Sequence, residues 1–285
     1  MSRSAPLIAV ERARLARAYP DIFAPSLRKR MQTVTVILLL VGLFVFGMVW
    51  LGFSFEKLAT GIGRLGVIIG LMFPPTAGSL LPLYLKGLAE TLAIALLGTM
   101  LGAIIAFPLA FLAAKNIVAQ RVIHFLSRRF LDTIRGVDTL IWALIFINVV
   151  GLGPFAGILA VAMSDIGSFG KLFSEAIETA DTKPIDGVTS TGGSTLHRIQ
   201  FGIVPQVLPI ILSQVLYYFE SNTRSATVIG IVGAGGIGLY LSNEISQQNW
   251  DHVAFLIIMI LITVAIIDWI SSRLRFAIIG KRAVS

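Results

Sequence analysis

The chain contains no cysteine and only three histidines, and charged residues fill just 13% of its 285 positions. Without cysteine there can be no disulfide, thiolate metal site or cysteine nucleophile, and the redox state of the compartment leaves no mark. His124, His197 and His252 stand far apart, with none of the HExxH-like spacing that a metal site needs. Charge is scarce against the roughly 25% usual in soluble chains. Hydrophobic residues make up 56%, and mean hydropathy is +0.86. One soluble globule could not cover so much apolar surface, whereas bilayer spans of roughly 20 residues absorb it. The composition implies an all-α polytopic membrane protein.

The net charge of +8 comes from 23 Lys and Arg against 15 Asp and Glu. The basic residues cluster in short segments between apolar runs, and no basic stripe with interleaved aromatics appears, so nucleic acid is not an expected partner. Residues 1–30 form a polar, basic tail, and residues 31–55 read as a first transmembrane helix. That helix lacks the short apolar core and small-residue cleavage site of a secretory signal, which predicts an uncleaved anchor.

Residues 56–84 are mixed, and their apolar patch at 65–73 is too short to cross, which suggests an interfacial or re-entrant piece. Residues 91–114 make a second span, with Pro108 expected to kink it. Residues 139–164 read either as one span or as two helices that turn at Gly151-Leu-Gly-Pro154. The turn is the stronger signal, giving helices over 123–150 and 155–173. Further spans are expected at 203–232 and 252–270, for about six in all, with both termini on one side. This topology puts 19 of the 23 basic side chains inside, three outside, and Arg224 within a span, as the positive-inside rule demands.

The string GAGGIG from Gly233 to Gly238 satisfies GxGxxG in form. A dinucleotide fingerprint needs a preceding strand, whereas this one follows an apolar span. Gly233, Gly235, Gly236 and Gly238 therefore read either as a gate or hinge or as a close helix contact.

The polar segment from Ser174 to Pro209 carries the pattern Asp186-Gly187-Val188, three residues, Gly192, nine residues, then Gly202-Ile203-Val204-Pro205. It resembles the EAA, three residues, Gly, nine residues, I-x-L-P loop of bacterial ABC importer membrane subunits. Asp replaces Glu, Gly and Val replace the alanines, and Gly202 stands at the first aliphatic position, while Gly192 and Pro205 match. Other stretches narrow the likeness: WALI at Trp142, GLGPFAG from Gly151, GKLFSEAIE from Gly170, PQVLP from Pro205, and RSATVIGIVGAGGIG from Arg224. Together, over about residues 85–270, they resemble the phosphonate importer permeases of the PhnE family. Arg135-Gly-Val-Asp138 departs from the Arg-x-x-Pro-Glu of such permeases, which leaves the local turn there open.

The resemblance implies a type I ABC importer core over residues 85–275, with a cytoplasmic coupling loop at 174–200. It implies a non-catalytic permease for phosphonate, phosphite or phosphate-type oxyanions in the bacterial inner membrane, with both termini cytoplasmic. The expected partners are a second copy of the chain, two ATP-binding subunits and a periplasmic or lipid-anchored phosphonate-binding protein. This chain binds no cofactor in that reading. It also lacks GxxxxGK followed by Ser or Thr, which places ATP and Mg on the partner. Glu175, Ala176, Pro184, Asp186, Gly187, Gly192 and Pro205 are the candidate coupling residues. Pro184 suits a first helical turn and Gly192-Gly193 a stop, so a short surface helix is expected between them.

A permease for another small solute such as methionine is the alternative within this class. A secondary transporter would need intramembrane acids. Asp165 and Asp268 are present, but both are expected near span ends, where water solvates them. Glu220, Ser221, Asn222, Thr223 and Arg224 are the candidate pathway residues. Glu220 lies one helical turn before Arg224, in the favourable order for an ion pair. Two readings stay open: a self-neutralising structural pair, or an Arg224 that faces the pathway and receives a phosphonate-like anion.

Overall fold

The computed structural model describes residues 27–118 and 120–280 together with Arg14, so most of the basic tail and residues 281–285 lie outside it. The chain divides into two compact units, residues 1–67 and 68–285.

In the first unit α1, Leu27–Trp50, opens with Arg28, Lys29 and Arg30, carries no charge beyond them, and has no buried residue. At about 1.5 Å per residue its 24 residues exceed a hydrocarbon core of roughly 30 Å. The helix ends before the expected residue 55, because the chain turns at Gly52 and α2, Phe55–Leu71, starts anew. The patch at 65–73 thus belongs to a longer amphipathic helix, which also buries no residue.

The second unit takes in the last residues of α2, and a 3-10 turn, Gly78–Leu80, then leads into α3, Leu81–Ala113. This helix starts well before the expected residue 91 and runs on through Pro108. Its buried positions include Gly87, Thr91, Ala95, Gly98, Gly102, Ala106 and Ala110, a stripe recurring every three or four residues. Lipid offers no hydrophobic drive between helices, so small side chains that allow close van der Waals approach decide the contact. Opposite lies α6, Pro154–Glu178, with Val161 against Gly98 and Asp165 against Gly102.

Between these helices run α4, Arg121–Arg135, and α5, Thr139–Val150, bent 86° from one another. The single helix expected over 123–150 is therefore broken. Gly136 closes α4, and the Asp138 side chain caps α5 by accepting from the Leu140 amide at 2.8 Å. That cap draws the chain out of helical geometry before α5 begins. The turn at Gly151-Leu-Gly-Pro154 forms as expected, with Pro154 at the start of α6. However, α6 continues to Glu178, past the expected end at 173.

The remaining elements are α7, Thr182–Ser190, a single turn Thr195–His197, a π turn Arg198–Ile203, α8, Val204–Ile231, α9, Ile237–Ser246, and α10, Trp250–Ile279. Phe169, Phe173, Ile177, Ile203 and Val207 form one core cluster, and Ile94, Val161, Ala226 and Ile229 form another. Among the described residues five helices are long and apolar enough to cross a bilayer, or six if the bent α4–α5 pair counts as one.

Candidate coupling element and polar helix

The segment between α6 and α8 is built around α7. Asp181 caps its N-terminus by accepting from the Lys183 amide at 3.1 Å, and Pro184 falls in the first turn. At the other end Gly192 takes φ +80°, with the Gly192 amide bonded to the Thr189 carbonyl and the Gly193 amide to the Val188 carbonyl. This is a Schellman stop, which needs a left-handed residue at that point. Gln206 holds the helix to α8 from both sides. Its Oε1 accepts from the Asp181 amide at 3.0 Å, and its Nε2 donates to the carbonyl oxygens of Asp181 and Gly202 at 3.1 and 2.6 Å.

Pro184, Asp186, Gly187 and Gly192 lie exposed along this element, and Pro205 is exposed in the first turn of α8. Ile185 turns inward onto the core cluster. Glu175 and Ala176 do not belong here. Both sit in the last turns of α6, where Ala176 is buried in the core and Glu175 pairs with Arg128 at 3.8 Å and Lys171 at 3.9 Å. The expected loop at 174–200 consequently begins only after Glu178. The helical pattern of FSEAIE is an amphipathic continuation of α6, not the start of a connector.

On α8 the five consecutive polar residues divide between faces, because successive side chains are about 100° apart around a helix. Asn222 points into the bundle. Its amide donates to Asp165 Oδ2 at 2.6 Å and to Thr99 Oγ1 at 2.8 Å, tying α8 to α6 and α3. Asp165 is 2% exposed in the middle of α6 and so is not the solvated residue at a span end that the sequence suggested. Thr223 is also buried, its hydroxyl satisfied by the Phe219 carbonyl at 2.9 Å. Asn222 and Thr223 thus serve contacts within the chain, and Ser221 is half-buried.

Glu220 and Arg224 do meet, with Arg224 Nη2 3.4 Å from Glu220 Oε1. The closer partner of Glu220 comes from α10: Arg275 Nη2 lies 3.0 Å from Oε2. Arg275 is also placed over the Tyr217 ring at 5.7 Å. Glu220 is buried, while the Arg224 side chain is 50% exposed. A half-exposed guanidinium in an apolar span cannot face lipid cheaply, since even the lenient insertion scale charges about 2.5 to 3.5 kcal/mol.

The glycine run links α8 to α9. Gly233, Gly235 and Gly236 all have positive φ. The Gly233 carbonyl accepts from the Gly153 amide at 3.0 Å, and the Ile237 amide donates to Thr91 Oγ1 at 2.8 Å. A Cβ on Gly238 would strike the Thr227 carbonyl and the Gly230 backbone. The run is thus a packed junction between the α5–α6 turn, α3 and α8.

Asp165 was named but placed near a span end, and Arg275 and Thr99 were missed from sequence. So was a cluster where the Tyr84 hydroxyl donates to Glu244 Oε1 at 3.0 Å and lies 2.7 Å from His252 Nδ1. Only Asp165 had an available signal, as an acid within a long apolar stretch. Among the described residues no group of three or more His, Cys, Asp or Glu could hold a metal ion.

Comparison with known proteins agrees with this architecture. Residues 106–279 match the family described as binding-protein-dependent transport system inner membrane component. The chain is 38% identical to the putative phosphite transport system permease protein HtxC of Stutzerimonas stutzeri, over 96% of this chain and 95% of that one. It is 33% identical to the phosphate-import permease protein PhnE of Mycolicibacterium smegmatis, over 87% of this chain and 47% of that one. Among solved structures, the inward-facing methionine ABC transporter MetNI superposes with a TM-score of 0.63 at 17% identity, covering 71% of this chain and 99% of that one. The chain belongs to the family of inner-membrane components of binding-protein-dependent transport systems.

Proposed function

We propose that the chain is the permease subunit of an ATP-driven importer for phosphonate, phosphite or phosphate-type oxyanions. The observation that carries this reading is its near full-length likeness to a permease named for phosphite. Two copies form the translocation pathway in a bacterial inner membrane, with both termini cytoplasmic. A periplasmic or lipid-anchored binding protein delivers the oxyanion. Two ATP-binding subunits, which carry the ATP and Mg, dock at α7, whose exposed outer face is capped at both ends and clamped to α8 by Gln206. The permease makes and breaks no covalent bond. Closure of the ATPases moves α7, and the motion reaches the spans through α6 and α8, which flank it in the chain.

Uptake tests this directly. The chain is expressed with the ATPase and binding-protein genes beside its own, in cells lacking other phosphate-type importers, and supplied with phosphite, inorganic phosphate or methylphosphonate. ATP-dependent uptake of at least one is expected. Uptake of methionine and of none of the three would overturn the substrate class but leave the permease assignment standing.

A further inference from the structure

Two guanidinium groups share one carboxylate inside the bundle, and they share it unequally. Arg275 approaches Glu220 at 3.0 Å, comes from a different helix, is 24% exposed and has the Tyr217 ring beneath it. Arg224 approaches the other oxygen at 3.4 Å, one turn along the same helix, and is 50% exposed. A carboxylate can neutralise one cation, so the cluster keeps a net charge of +1, and the geometry assigns that charge to the more loosely held Arg224. A planar fork of donors held by a single long contact has most of its N–H groups unengaged.

The fold also sets the direction in which that fork points. Asn222, bound to Asp165 and Thr99, fixes the rotation of α8. Residue 224 is about 200° further round the helix, so it faces away from α3 and α6. Glu220 is about 200° round in the opposite sense, which places it beside Arg224 and toward α10. Beside the cluster a groove lined by Leu172, Ser213, Gln214, Tyr217, Tyr218 and Arg275 opens at the α8–α10 contact, and the Gln214 Oε1 within it is buried without a partner among the described residues.

We propose that Arg275 is the standing counter-ion of Glu220, and that this frees Arg224 to exchange between Glu220 and an oxyanion passing through the pathway. The inference rests on the oxyanion reading above. Arg224 contacts the anion, whereas Glu220 and Arg275 are positioning residues. The Glu220 carboxylate holds Arg224 when the pathway is empty, and the anion takes it over without leaving a buried acid uncompensated.

The test uses the permease expressed with its ATPase and binding-protein partners. Uptake of labelled phosphite, inorganic phosphate and methylphosphonate is measured over a concentration series, and assembly is followed by size-exclusion chromatography of the solubilised complex. Arg224→Ala is expected to assemble and to lose about tenfold or more in uptake, with Arg224→Lys retaining part. Arg275→Gln leaves Arg224 as the sole counter-ion, so its uptake is expected to fall about fivefold, mainly through a higher apparent KM. Adding Glu220→Gln to Arg275→Gln releases Arg224 and recovers most of the loss, whereas adding it to Arg224→Ala recovers none. Should Arg275→Gln fail to assemble, the Glu220→Gln, Arg275→Gln double variant carries that arm alone.

Parental uptake by an assembled Glu220→Gln, Arg224→Ala variant overturns the inference. So does a Glu220→Gln, Arg275→Gln variant that assembles but stays as impaired as Arg224→Ala. In both cases the unsubstituted protein still transports an oxyanion. If the unsubstituted protein takes up none of the three, the oxyanion reading falls and the inference with it.

Discussion

The Asn222 side-chain amide donates to the Asp165 carboxylate at 2.6 Å, across the contact between α8 and α6, with neither group open to solvent. Removing the amide leaves a buried acid short of a donor, which costs on the order of 1–3 kcal/mol or more for a charged group. Asn222→Ala should therefore lower the melting temperature of the detergent-solubilised protein well beyond Asp165→Asn, which keeps an acceptor for the same amide. A parental melting temperature for Asn222→Ala would show that the Asn222 contact contributes nothing.

The α8–α9 junction predicts a sharp contrast between two glycines. An Ala side chain at Gly238 meets backbone of α8, which cannot move aside as a flexible side chain would, while at Gly187 nothing lies within 4 Å. Gly238→Ala is expected to destabilise by about 1–3 kcal/mol, as overpacking does, and to reduce the amount of folded protein in membranes. Gly187→Ala should accumulate at the parental level. Immunoblotting of membrane fractions distinguishes the two outcomes.

At Gly192 space is open, so the constraint is the backbone alone. A residue with Cβ pays roughly 1–2 kcal/mol for the left-handed conformation, and Asn pays less than most. Gly192→Arg should loosen the end of α7 and separate ATP hydrolysis from transport, leaving membrane insertion intact. Gly192→Asn should retain most of the coupling. The ratio of phosphate released from ATP to solute taken up is the measurement, and a parental ratio in Gly192→Arg would remove α7 from the coupling route.

Topology offers an independent check because the chain has no native cysteine. A cysteine at His197, beside α7, should be shielded from an impermeant thiol reagent in intact cells. One at Gln248, in the α9–α10 turn, should be labelled. Ser4 and Ala283, where the sequence also predicts a cytoplasmic position, lie outside the described residues. Labelling of position 197 from outside would invert the arrangement.

Much of this fold is legible in sequence because bilayer length and local turn chemistry act over short stretches. Pro154 after Gly151 and Gly153, Pro184 in a first helical turn, and Gly192 as a stop are all read from neighbours and all appear in the structure. Helix ends set by capping against apolar composition were harder. Charge-free runs placed the start of the second span at residue 91, yet α3 accommodates Lys86 and Glu90 as an i,i+4 pair at 4.0 Å. The break before Asp138 was hidden because the amphipathic α4, with Arg121, Arg128, Arg129 and Arg135, and the apolar α5 both read as helical. The site was least legible where partners are distant in sequence: 55 residues separate Glu220 from Arg275, and 57 separate Asp165 from Asn222. Local spacing yields the Glu220–Arg224 pair but not the second arginine that changes its meaning.

The knot of Thr99, Asp165 and Asn222 has a mechanical corollary. Rolling α8 about its own axis would tear the Asn222 amide from its two partners on one side while pulling Glu220 from Arg275 on the other. Torsion of this helix is thus opposed on both flanks, and α3, α6 and α8 are left to tilt together as one stiff lever. Gln206 ties the start of α7 to α8 at one end of that lever, so under the proposed coupling a push on α7 would be met by the three helices together.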